Sequence, residues 1–196
     1  MPVSMIPLWL KIVWTLPALA ILVVYWRNYG PGNLLWFSDI ALLLSIPAVW
    51  LEIPLLAGVA AVLVLVPELA WNLGYFGRLL TGRRLGGIVD YMFEPERPGF
   101  LKALSLFHVP LPLFLIWMVW LLGYDARALP LAVVLTWLVI PASRLLTRPE
   151  RNVNWAFGPV RHRKLVHPVL FVGFLMLAIP ILFHVPAHLI FDHLFG

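Results

Sequence analysis

The chain has 196 residues, of which 62% are hydrophobic and 12% charged, with a mean hydropathy of +0.94. Ordinary soluble proteins carry roughly 25% charged residues, and a soluble fold of this length cannot hide so much apolar surface, so lipid is the solvent. The net charge of +5 sits in a few loops between apolar runs, which reads as membrane orientation rather than a nucleic-acid surface, and with no cysteine there is no disulfide, thiolate metal site or Cys nucleophile.

Hydropathy, Gly/Pro punctuation and run length predict an all-α polytopic transmembrane helical bundle of about six spans in one integral membrane domain. The first apolar run contains Lys11 and continues through Val24 with no small-residue cleavage site, so it reads as a retained span near 8–26. A Gly-Pro-Gly turn and Asn33 precede the second span, near 34–51, which holds Asp39 about one turn in. Glu52 alone nearly makes the next connection. The third span, near 53–76, ends with Glu68 and Asn72, four apart and therefore on one helix face.

The loop 77–99 is the longest, and its middle, Leu85-Gly-Gly-Ile-Val-Asp-Tyr-Met-Phe93, is apolar and aromatic, as an interfacial or re-entrant segment would be. The fourth span, near 100–122, carries Ser105 and His108 on one face. After a short turn the fifth, near 129–146, ends at Ser143 and Arg144. A basic loop containing Asn152 and Asn154 leads to the sixth, near 168–190, which closes on His184, His188, Asp192 and His193.

Of the 14 Lys and Arg residues, twelve fall on the side of the first, third and fifth loops, leaving only Lys11 and Arg127 opposite. By the positive-inside rule those three loops are cytoplasmic and both termini are not, as expected for a multi-pass protein of a bacterial inner membrane. Seven tryptophans, Trp71 among them, lie near span ends, where an interfacial aromatic belt is expected.

Ionisable groups inside spans are costly and point to function. Asp39, Glu68 and His108 come from three spans yet share the cytoplasmic half of the bundle, with Asn33, Asn72, Ser105 and Arg144 at similar depth and Asn152 and Asn154 in the adjoining loop. Such a set could pair internally, hold a polar headgroup or small anion, or carry acid/base chemistry with His108 as the proton carrier, Asp39 and Glu68 orienting, and Arg144 pairing an anion. Pro67, Pro110, Pro112 and Pro141 next to these groups suit bent helices around a cavity. At the other face, His184 and His188 are four apart, a spacing that permits joint metal ligation.

The stretches Tyr29-Gly-Pro-Gly-Asn-Leu-Leu-Trp-Phe-Ser-Asp39, Pro67-Glu-Leu-Ala-Trp-Asn72, Phe107-His-Val-Pro-Leu-Pro112 and Asn152-Val-Asn-Trp-Ala-Phe-Gly158 resemble those of an uncharacterised family of bacterial multi-span membrane proteins. The resemblance implies membrane location and no particular activity. Ser105, Phe107-His108 and the His184/His188 pair are weakly similar to alkaline-ceramidase-type membrane hydrolases, in which a Ser, an Asp and three His build a zinc amidase site. This chain departs from that pattern: Ser105 and His108 are three apart instead of four, and the span order sets His108 and the C-terminal pair at opposite faces.

Three functions follow as expectations. The first is a protein that binds or modifies a lipid headgroup or small polar molecule. The second is an accessory subunit of a larger membrane complex, with a pigment or haem on an intramembrane histidine. The third is a small transporter, acting as a homo-oligomer because no internal repeat is visible. Membrane lipids are the expected partners, other membrane subunits a further option, and no motif specifies a cofactor.

Overall fold

The computed structural model describes residues 4–84, 86–159 and 167–196, and among these every regular element is helical. Helix α1 (Leu8–Tyr29) leads through a 3-10 turn (Pro31–Leu35) into α2 (Phe37–Leu51) and then α3 (Pro54–Thr81). Helices α4 (Gly99–Ser105) and α5 (Pro110–Leu122) form one crossing interrupted by a 3-10 turn at Leu106–His108. α6 (Ala128–Leu146) follows, and α7 (Pro168–Ile179) and α8 (Val185–Phe195) are joined by a π turn at Pro180–His184.

The protein is thus an all-α, multi-pass helical bundle. Five crossings are long and apolar enough to traverse a membrane. The sixth, α2, has 15 residues, about 22 Å at 1.5 Å per residue, and the 3-10 turn before it adds length at the basic end. Helices α1 and α3 run on to Tyr29 and Thr81, beyond the ends at 26 and 76 that hydropathy suggests.

α3 is the axis of the bundle. Of its most apolar window 61% is buried, against 22 to 39% in the other four long crossings, and α2, α5, α6 and the π turn all pack on it. Its small residues Ala57, Gly58, Ala60 and Ala61 admit these neighbours closely, as expected where packing in lipid replaces the hydrophobic effect. At Gly58 an added Cβ would stand 3.0 Å from that of Ala128. The outward faces carry exposed Leu16, Leu113, Leu138 and Leu170, the surface that acyl chains cover.

Prolines free backbone carbonyls, and neighbouring side chains take them. The carbonyl of His108 loses its helical donor because Pro112 has no N–H, and Asn72 Nδ2 donates to it at 2.8 Å. The carbonyl of Met176, facing Pro180, accepts from Trp137 Nε1 at 2.9 Å. This is why the helices break without leaving those acceptors bare.

At the face opposite the basic loops, Glu52 sits in left-handed backbone (φ 52°) between α2 and α3. It accepts hydrogen bonds from Lys11 Nζ at 2.8 Å, from the amides of Met5 and Ile6 at 2.9 and 3.1 Å, and from the Ser4 hydroxyl. Burial acts to raise this carboxyl, but those bonds outweigh it and hold it down at about 2. Lys11, 7% exposed, also donates to the Trp50 carbonyl. The clasp ties the start of α1 to the α2–α3 corner.

Candidate functional site

A cavity of about 740 Å³ opens among the loops at the basic end of the bundle and reaches inward between α1, α2, α3 and the α4–α5 break. Its walls include Asp39, Glu68, His108, Asn33, Ser105, Asn152 and Asn154. Depth along four spans, the one feature these residues share in sequence, is therefore matched by a common azimuth.

At its floor His108 lies in the 3-10 turn that Pro110 and Pro112 impose. Its Nδ1 is 2.8 and 3.0 Å from the two carboxylate oxygens of Glu68. The carboxylate assigns the proton to Nδ1, so the imidazole donates there. Nε2 has no hydrogen-bond partner among the described residues and belongs to a ring that lines the cavity. The ring is held between Trp71 and Phe107, with centroids at 4.7 and 4.2 Å. Asn72 fixes the backbone behind the pair by donating to the carbonyls of both Glu68 and His108 at 2.8 Å.

The second carboxylate, Asp39, stands in the first turn of α2, where the helix N-terminus favours negative charge. It is 2% exposed, accepts from Asn33 Nδ2 at 2.8 Å, and lies within electrostatic reach of both His108 and Glu68. Glu68 is equally buried, at 2%.

The mouth has the opposite charge. Arg97 donates to the Tyr29 hydroxyl at 2.9 Å, and its guanidinium lies 4.8 Å from the centre of the Tyr91 ring. Arg151 stacks over Tyr29 at 5.6 Å and donates to its carbonyl. Tyr91 joins floor to mouth: its hydroxyl accepts from Trp71 Nε1 at 3.0 Å. Burial pushes its phenol up to about 12, with Glu68 adding to the rise while the Trp71 hydrogen bond and Arg97 oppose it.

The other sequence candidates have different surroundings. Ser105 donates to the Leu101 carbonyl at 3.0 Å and is 2.8 Å from the Tyr25 hydroxyl. Asn154, at φ 49°, accepts from the Phe37 amide and donates to the Leu35 carbonyl at 2.7 Å and to Ser143 Oγ at 3.2 Å. Asn152 bonds within its own loop, to the Phe157 amide and the Gly158 carbonyl. Both asparagines border the cavity with their amides already engaged in pinning the loop to the 3-10 turn before α2 or to itself.

Arg144 is not among the cavity residues. Its guanidinium lies 4.4 Å from the Phe157 ring and pairs with neither Asp39 nor Glu68. The basic residues Arg161, Arg163 and Lys164, as well as Leu85, lie outside the described residues.

His184 is fully buried in the π turn, and neither ring nitrogen has a partner among the described residues. His188 Nδ1 is 2.8 Å from the Tyr124 hydroxyl. No group of three His, Asp or Glu able to hold a metal occurs among the described residues.

Sequence reasoning did not single out Tyr25, Tyr29, Trp71, Tyr91 or Arg97. Trp71 is 6% exposed and forms a cavity wall, although its place near a span end suggested the interfacial belt; Trp9, Trp26, Trp50 and Trp120 are exposed as belt residues should be. Arg97 was countable only as an orientation charge. The available signal was aromatic spacing, since Tyr25 and Tyr29 are four apart at the basic end of α1 and meet edge to face.

Compared with known proteins, the chain matches no family model, no curated protein and no solved structure.

Proposed function

We propose that this membrane protein binds a lipid headgroup or small polar molecule in the cavity at its basic end, with the His108–Glu68 pair as an acid/base centre. One observation carries the reading: three ionisable side chains from three crossings converge on a single open volume, and His108 presents a free Nε2 to it. Glu68 orients the ring and supports positive charge on it, so Nε2 can accept a proton from a bound ligand and return it. Cavities of about 300 to 1,000 Å³ with a few convergent polar groups are the usual form of small-molecule sites.

The cavity mouth lies among the loops that carry the basic residues, so the ligand enters from the cytoplasmic leaflet, in a bacterial cell from the inner membrane's inner face. Both termini then lie outside the cytoplasm.

The test is native mass spectrometry of the detergent-solubilised protein beside its His108→Ala and Glu68→Gln variants. A discrete bound mass in the wild type, lost in both variants while their thermal unfolding stays cooperative, is the expected result. Equal retention in all three proteins, or variants that no longer fold, would instead mark the pair as interhelical scaffolding.

A further inference from the structure

The charge in the cavity is layered by depth. Two carboxylates, Asp39 and Glu68, lie at the floor at 2% exposure each, and the only partner there that can carry positive charge is His108. Anionic groups removed from water demand cationic partners, and removing a partner is expensive. The floor is therefore one positive charge short of neutrality even with His108 protonated. Around it stand Tyr25, Trp36 and Trp71, aromatic faces of the kind that hold ammonium groups.

The mouth is the complement. Arg97 and Arg151 are kept in place by stacking on Tyr29 and Tyr91, and only Arg97 has a carboxylate beside it among the described residues, the half-exposed Glu94 at 3.5 Å. A guanidinium braced on an aromatic ring, with N–H groups to spare, is a phosphate-binding arrangement. Ile179 and Phe183 add an apolar wall beside the floor, and the volume exceeds what a bare headgroup needs.

Building on the headgroup-binding reading above, we propose that the cavity selects a ligand carrying a cationic amine and a phosphate in one headgroup, as in an amine-bearing zwitterionic phospholipid. The amine enters the floor at Asp39 and Glu68, and the phosphate stays at the mouth with Arg97 and Arg151. An anionic lipid satisfies the mouth and leaves the carboxylates uncompensated.

The test uses tryptophan fluorescence of the purified full chain, titrated below micelle-forming concentrations with dihexanoyl-phosphatidylethanolamine, dihexanoyl-phosphatidylglycerol and O-phosphorylethanolamine. The zwitterionic lipid is expected to bind at least tenfold tighter than the anionic one. Asp39→Asn should erase that preference while leaving phosphatidylglycerol binding unchanged, and Arg97→Gln should weaken both lipids alike. Phosphorylethanolamine binding as tightly as the lipid would identify a soluble ligand with the same chemistry and sustain the proposal. Phosphatidylglycerol binding equal to or tighter than phosphatidylethanolamine would overturn it while leaving headgroup binding intact. Failure of all three probes would overturn the proposal and headgroup binding together. The wild-type ranking decides the matter even where a variant does not fold.

Discussion

Two acidic clusters lie at the two ends of this bundle, built from similar groups to opposite effect. At one end Glu52 meets Lys11, a hydroxyl and two backbone amides, and its four partners close it off completely. At the other, Asp39 and Glu68 share one imidazole and one amide between them and face an open volume. Burial alone therefore does not separate a structural carboxylate from a candidate functional one. Whether the surrounding chain uses up its hydrogen-bonding capacity does.

Substitution should divide the two ends cleanly. Glu52→Gln leaves Lys11 as a buried cation without its counter-ion, and losses of about 3 kcal/mol are typical for such breakage. The thermal midpoint in detergent should fall markedly while any ligand retained in the cavity stays bound. Asp39→Asn should do the reverse, holding or raising the midpoint while ligand binding is lost, because it removes an uncompensated charge. A variant pair that moved both readouts together would dissolve the distinction.

A smaller effect is expected at Asn154, which belongs to the cavity's edge yet behaves like the clasp. Asn154→Ala removes three hydrogen bonds and places a side chain less tolerant of positive φ at 49°. A loss of about 2 kcal/mol is expected from the stranded partners, read as a lower unfolding midpoint and as easier proteolysis of the loop 147–159.

The smallest effect is a pH dependence confined to the clasp. The Glu52 carboxyl sits at about 2 in the folded chain against an ordinary 4.5. Its contribution is complete above about pH 4.5 and drains away as the pH falls toward 2, since the unfolded chain binds the proton first. Melting curves taken across that window should flatten in Glu52→Gln; an unchanged acid limb would show that other groups govern it.

Much of the fold was legible because hydropathy and span length report depth directly. The convergence of Asp39, Glu68 and His108 was visible in the same way, as a common level. What depth does not contain is the direction a side chain takes around its helix. Arg144 and Arg97 lie at comparable levels, yet one turns to Phe157 and the other to the cavity mouth. Trp71 shares the level of a belt residue and faces inward. The positive backbone angles of Asn152 and Asn154 likewise depend on partners about 120 residues away or within the loop, which local spacing does not encode.

The wide turn between α7 and α8 has a consequence for inheritance of sequence changes. Buried positions along this crossing run Leu175, Ile179, His184, Ala187 and Phe191, in steps of four, five, three and four. The step of five is the π turn, one residue more than an α-helix would take. Removing one residue there would advance everything after it by about 100°, setting Phe183 where His184 now stands and rotating the rest of α8 off its contacts with α3. The helix therefore tolerates substitution far better than it tolerates a change of length, and the buried imidazole exists only because this crossing is one residue out of step.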